Sequence, residues 1–127
     1  MRVTAQPNTR TLRCDGPTMP AAGLGAPEHN LAWRAAQAFV DAARWDTGWD
    51  IDITKNIPVG GGLGGGSADA AAVLRALNTL CPTPLPLSAL CEIGGTLGAD
   101  VPFLVAGVSR AWGWGRGDRL LVLPALP

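Results

Sequence analysis

Lysine and histidine are almost absent from these 127 residues: Lys55 and His29 are the only ones, and ten basic side chains face ten acidic ones. A formal charge of zero excludes the broad positive surface that nucleic acid demands. Cysteine is scarce and odd in number. Cys14, Cys81 and Cys91 contain no CxxC pair, which argues against a disulfide framework or a zinc ribbon and fits a reducing cytosol. No apolar run approaches the length of a membrane span. Residues 1–13, MRVTAQPNTRTLR, lack the charged-then-apolar order of a secretory leader, so none is expected there. What the chain does have is a 47% hydrophobic content, enough for the core of one domain over residues 1–127 and too much for a disordered chain. It also has 17 glycines, and they crowd into one stretch.

Residues 1–29 carry few periodic signals; Asp15-Gly16-Pro17 reads as a turn and Pro20 to Pro27 as a loop. Asn30 is a good helix cap, and Leu31, Ala35, Ala38, Phe39 and Ala42 follow at helical spacing, which predicts a helix over 30–44. Trp49, Ile51 and Ile53 alternate with Asp50, Asp52 and Thr54, the pattern of a half-buried strand, with Pro58 as its stop. A second helix is expected from about Ser67 to Asn78 and a third over Ser88–Leu97, closed by Gly98. The prolines at 82, 84 and 86 stiffen the connection between them. Val101 to Val105 read as extended chain at an edge or a strand start, because of Pro102. Residues 107–112 and 119–123 read as a hairpin around Gly115-Arg116-Gly117-Asp118.

The central feature is GGGLGGG at residues 60–66. So many glycines lose too much entropy inside a strand or helix, so the run reads as a loop with unusual backbone angles. It lies between a strand and the helix expected at Ser67. The first N–H groups of a helix have no partner within it, and the helix dipole adds roughly half a positive charge there. Bare residues let an anion reach those donors, and phosphate is the natural ligand. Ser67 could cap the helix or offer its hydroxyl. A Walker A loop would end in GK[ST], yet Gly66 precedes Ser67 directly. A dinucleotide fingerprint matches Gly60, Gly62 and Gly65, but the acidic residue it needs about 20 positions on is missing from Pro82 to Leu87. A flexible linker would be serine-rich and have no fixed helix behind it.

The segment Lys55-Asn56-Ile57-Pro58-Val59-Gly60-Gly61-Gly62-Leu63-Gly64-Gly65-Gly66-Ser67-Ala68-Asp69-Ala70 resembles the nucleotide-binding motif of the GHMP kinase superfamily. Three further segments resemble motifs of one branch of that superfamily, in the same order: Asn30-Leu31 with Arg34-Ala35-Ala36, Gly98-Ala99-Asp100-Val101-Pro102, and Gly115-Arg116-Gly117-Asp118. The resemblance implies an α+β fold, the N-terminal portion of the GHMP architecture (ribosomal protein S5 domain 2-like), with a mixed sheet and helices on one face. It implies a cytoplasmic kinase that phosphorylates a hydroxyl of a cytidyl-linked small molecule in isoprenoid precursor synthesis, using ATP with Mg2+. No nucleic-acid or membrane partner is implied.

Carried over residue by residue, Pro58, Val59, Gly60, Gly61, Gly62, Leu63, Gly64, Gly65, Gly66, Ser67 and Ala68 would bind ATP. Ala68 stands where the family often has a second serine. Asp100 would act on the substrate hydroxyl, since an alcohol attacks well only when a nearby carboxylate accepts or orients its proton. The family's Lys-Ile-Asn-Leu type strand and its Asp-Gly-Tyr-His type segment have no counterpart, so the chain reads as an internal piece of such a kinase. A non-catalytic remnant and another GHMP small-molecule kinase are the competing readings. Elsewhere plain roles are expected. Asp50 and Asp52 form a solvated strand face, Asp69 favours its helix dipole, and His29 lies in a loop. Trp112 and Trp114 pack a hairpin face, and Cys81 and Cys91 are small buried hydrophobes.

Overall fold

The computed structural model describes residues 1–127. Ten elements follow one another: strands β1 (Arg2–Ala5) and β2 (Arg10–Asp15), a short 3-10 turn (Pro27–His29), helix α1 (Leu31–Ala43), strand β3 (Trp49–Thr54), helices α2 (Gly65–Leu80), α3 (Leu87–Leu97) and α4 (Val101–Ala106), and strands β4 (Ala111–Trp114) and β5 (Arg119–Val122). The first three strands form one mixed sheet with β3 in the middle, antiparallel to β1 and parallel to β2. The last two form a separate hairpin. No helix is long and apolar enough to cross a membrane.

Strand β3 decides the layering. Its alternation puts Trp49, Ile51 and Ile53 into the core and turns Asp50 and Asp52 outward. Helices α1 and α2 close the inner face with Phe39, Val40, Val73, Leu74 and Leu77. Alanines at 32, 35 and 36 of α1 and at 70 and 71 of α2 are buried, which lets the two helices approach closely. Asn30 caps α1 as expected, its side chain accepting from the Ala32 amide at 2.9 Å. Trp33 meets Trp49 edge-on with ring centroids 5.4 Å apart.

Several sequence expectations need correction. Residues 1–29, for all their few periodic signals, hold both edge strands of the sheet. Residues 101–105 are helical rather than extended: Pro102 sits in the first turn of α4, where a missing N–H is harmless. Helix α2 starts at Gly65, two residues before Ser67, so the last two glycines of the run lie inside its first turn. Strand β3 stops at Thr54, well before Pro58. The hairpin strands are shorter than expected, and Trp112 and Trp114 are exposed rather than packed. Cys81 is buried as expected, and Cys91 is half-buried.

The outer face of the sheet is a charge ladder. Asp52 accepts from Arg13 Nε at 2.6 Å and from Arg2 Nε at 3.2 Å, and Arg13 also reaches Asp50. The Arg13 and Arg2 guanidinium groups pull the Asp52 carboxyl from 3.8 down to about 2. A depressed carboxylate pKa stabilises the fold above the unfolded value and loses that effect as pH falls through the folded one. The fold should therefore weaken between pH 3.8 and about 2, more steeply in the natural chain than in Asp52→Asn. Melting curves across that window check this, and parallel slopes would show that the ladder contributes nothing.

Candidate functional site

The chain between β3 and α2 leaves the strand, bends at Ile57, turns at Val59 and Gly60, and is exposed from Val59 to Leu63. Gly60, Gly62 and Gly64 have φ of 78°, 70° and 71°. These left-handed angles are the ones glycine adopts without penalty, so the alternating glycines are what let this loop fold as it does. Gly64 is the N-cap of α2 and offers no side chain.

The backbone hydrogen bonds of this segment show its most telling property. The carbonyl of Gly64 accepts from Ala68, which is the first bond of the helix. None of the amides from Val59 to Ser67 donates to any carbonyl or side chain of the chain. Nine consecutive N–H groups are thus free on an exposed loop and the helix turn that follows it. Buried amides would not tolerate this, and exposed ones are open to a ligand. The loop has not collapsed onto the core either, since a Cβ at Gly60, Gly62 or Gly64 would meet nothing within 4 Å.

Two clefts flank the loop. The first, of about 360 Å³, is walled by residues 58–67 and floored by Asn30, Leu31, Lys55 and Asp69. Every residue of the expected ATP segment lines it except Ala68, which lines the second cleft. That second cleft, of about 510 Å³, lies across Gly62, Leu63 and Gly64 and is bounded by Asp100, Phe103, Leu104 and the inner edge of the hairpin. The loop is therefore a partition with the glycine segment on one side and Asp100 on the other.

Asp100 is brought there by the α3–α4 junction. It is the N-cap residue of α4, yet its side chain makes no capping bond and no ion pair. The carboxylate stands exposed at the cleft with all its acceptor sites free. It is the only charged residue lining the second cleft. Gly98, just before it, packs against the first turn of α2, where a Cβ would lie 3.9 Å from Ser67 Oγ. Ser67 itself is the third residue of the helix rather than its cap.

Lys55 and Asp69 were not expected to meet. They form an ion pair on the floor of the first cleft, and the Lys55 side chain is only 9% exposed. No spacing rule of a strand or helix links residues so far apart in sequence, so only the fold could show this pair. Cys14 lies behind the same floor, 4.0 Å from Asn30 Nδ2. Burial pushes its thiol up, and nearby Lys55 opposes this only in part. In the hairpin turn, hydrogen bonds from its own backbone N–H and from the Arg116 amide hold the Asp118 carboxyl below its ordinary range. No group of three or more metal-ligating side chains exists anywhere in the chain.

The family model described as the GHMP kinases N terminal domain matches residues 30–108. Among curated proteins, the 4-diphosphocytidyl-2-C-methyl-D-erythritol kinase of Geobacter metallireducens is 50% identical over 105 residues, covering 81% of this chain and 37% of its own length. That of Syntrophotalea carbinolica is 48% identical over 120 residues, covering 94% of this chain and 41% of its own. Among solved structures, a 4-(cytidine 5'-diphospho)-2C-methyl-D-erythritol kinase superposes with a TM-score of 0.71 at 40% identity, over 98% of this chain and 42% of that one. The chain thus spans about two fifths of the length of the relatives it matches.

Proposed function

We propose that this chain, which belongs to the GHMP kinase family through its N-terminal domain, is the ATP-binding domain of a cytosolic 4-diphosphocytidyl-2-C-methyl-D-erythritol kinase. The reaction would pass the γ-phosphoryl group of ATP to the 2-hydroxyl of 4-diphosphocytidyl-2-C-methyl-D-erythritol. One observation carries the reading: the unpaired amides from Val59 to Ser67 line a partition whose far side holds the free carboxylate of Asp100. Anionic phosphates suit the first feature, and an alcohol about to be phosphorylated suits the second.

The residues present do the following work. The amides of residues 59–67 bind and orient the triphosphate, and the N-terminus of α2 adds its dipole. Asp100 holds or takes the proton of the attacking hydroxyl. When bound, Mg2+ would supply neutralisation of phosphate charge, and Ser67, whose hydroxyl lines the first cleft, would help hold it there. The second cleft has no cationic side chain. Such groups typically contribute about 3–4 kcal/mol to a transition state that gathers negative charge. This specific lack favours a second reading for the chain by itself, namely nucleotide binding with little transfer.

Calorimetric titration with Mg-ATP tests the proposal. A Kd on the order of 0.1 mM, about −5.5 kcal/mol, is expected, with Ala-for-Asp100 replacement leaving it unchanged. A folded sample that evolves no heat would falsify the nucleotide-binding reading. A broad, non-cooperative melt of the same sample would favour the remnant reading instead.

A further inference from the structure

We infer that the Lys55–Asp69 ion pair is a clamp that sets the distance between the two ends of the glycine loop, so that Lys55 is a positioning residue and not a phosphate ligand. The inference rests on the nucleotide-cradle reading above and assigns work to the one lysine in the chain.

The backbone of Lys55 is held on both sides. Its N–H donates to the Asp15 carbonyl at 2.6 Å, and its carbonyl accepts from the Thr18 amide at 3.3 Å and the Thr18 hydroxyl at 2.7 Å. Gly16, at φ +116°, lies so close that a Cβ there would come within 2.5 Å of the Lys55 carbonyl oxygen. The lysine backbone is thus fixed, and its side chain pairs with Asp69. Asp69 lies near the start of α2, after a first turn whose amides through Ser67 are unpaired, and the ion pair is what ties this end of the helix to Lys55. Between these two residues the loop is tied only near its ends. The same Thr18 hydroxyl proton is shared with the Ile57 carbonyl, 3.1 Å away, and the Ile57 side chain packs where a Cβ of Gly65 would lie, 3.2 Å away. From Val59 to Leu63 no amide is bonded.

A free lysine beside a row of unpaired amides would be a natural phosphate ligand. Here the ammonium is nine-tenths buried and already neutralised by a carboxylate. Drawing it toward a phosphate would strand Asp69 without its partner, which is strongly unfavourable for a buried pair. The pair therefore leaves the cleft floor neutral and gives the anion-binding task to the main chain. Its own effect is to hold β3 and the start of α2 in register, so that the loop spans a fixed gap.

The two roles predict opposite signs. If Lys55 is a clamp, Asp69→Asn and Lys55→Met each weaken Mg-ATP binding about tenfold. Lys55→Arg, which keeps the pair, stays within about twofold, and the apolar double variant Lys55→Met/Asp69→Leu regains most of the loss. If Lys55 is a phosphate ligand, Asp69→Asn frees it and tightens binding, and the double variant stays weak; either result overturns the clamp. A nucleotide-free readout separates this from the parent proposal. Nuclear Overhauser contacts between the Ile57 methyls and the Gly65 Hα are expected in the natural chain, in Lys55→Arg and in the double variant, and are expected to vanish in both single variants. Their persistence in the single variants defeats the clamp whatever ATP does. If they follow this pattern while the natural chain binds no Mg-ATP, the clamp stands and the nucleotide reading falls. Should the single variants not fold, Lys55→Arg and the double variant decide: loss of the contact in both refutes it.

Discussion

Replacing Gly62 by valine is expected to weaken Mg-ATP binding about a hundredfold while leaving Tm within about 2 °C. The reasons are local. Gly62 sits at φ 70° with nothing within 4 Å of a Cβ position. A Cβ there meets no other part of the chain on an exposed loop, so the packed core is left alone. The β-branched side chain does disfavour the left-handed backbone, by roughly 1–2 kcal/mol for an L-residue. The free loop is exposed and untied, so it relaxes to another conformation. Binding must then reverse that relaxation. The amides on either side of residue 62 are also lost to the anion while the loop is relaxed, and a charge-assisted hydrogen bond contributes about 1.5–3 kcal/mol. The two effects together make about 3 kcal/mol, or a factor near a hundred. Titration of the variant beside its melting curve checks both halves. Unchanged affinity would mean that the anion does not lie on this loop, and a large drop in Tm would mean that the loop is part of the core.

The elements most legible in the sequence are those that bury one whole face. Helix α1 carries a capping Asn30 and an apolar stripe through Phe39, and β3 alternates cleanly because Trp49, Ile51 and Ile53 all enter the core. The edge strands were harder to see. β1 and β2 flank β3 on either side, and Val3, Leu12 and Cys14 are only partly buried. Their outward positions are arginine, threonine and aspartate, and an edge strand four to six residues long gives too few turns of the period to stand out. Helix α4 was hidden by composition. Val101, Pro102 and Val105 are residues that favour extended chain, yet all three are buried, and that packing overrides local preference.

The candidate site divides in the same way. The glycine run is legible because no regular element accepts six glycines in seven residues, and Asp100 because its neighbours match a motif. Two things were not legible. One is where α2 begins: Gly65 and Gly66 are poor helix formers, and they are helical here because the rest of α2 is anchored by Ala70, Val73 and Leu74. The other is the Lys55–Asp69 pair, which exists only because β3 and α2 meet across the loop. Sequence patterns of period two or 3.6 describe faces of single elements, whereas this contact belongs to the joint between two.

Gly48→Ala is expected to be the most damaging single methyl in the chain, lowering stability by about 3 kcal/mol or more and Tm by roughly 10 °C. Backbone angle is not the cause here. Gly48 lies against the turn that joins β1 to β2, and a Cβ would come 1.8 Å from the Thr9 carbonyl oxygen and 2.7 Å from that of Gln6. Both obstacles are main chain, so no side-chain rotation relieves them. The turn must move, and it cannot move freely. Gln6 N–H donates to the Gly48 carbonyl at 3.1 Å, and Trp49 N–H donates to the Thr9 carbonyl at 2.7 Å. Pushing the turn away breaks these bonds where β1 ends and β2 and β3 begin, and it disturbs the seat of Trp49, the largest fully buried side chain. Gly61→Ala is the control. A Cβ there would find its nearest neighbours at 3.6 Å or beyond, so its Tm should stay within about 2 °C. Chemical denaturation of both variants reads the difference. If Gly48→Ala melts with the natural chain, the three-strand junction is looser than the structure has it, and with it the placement of Lys55 at the far end of β3.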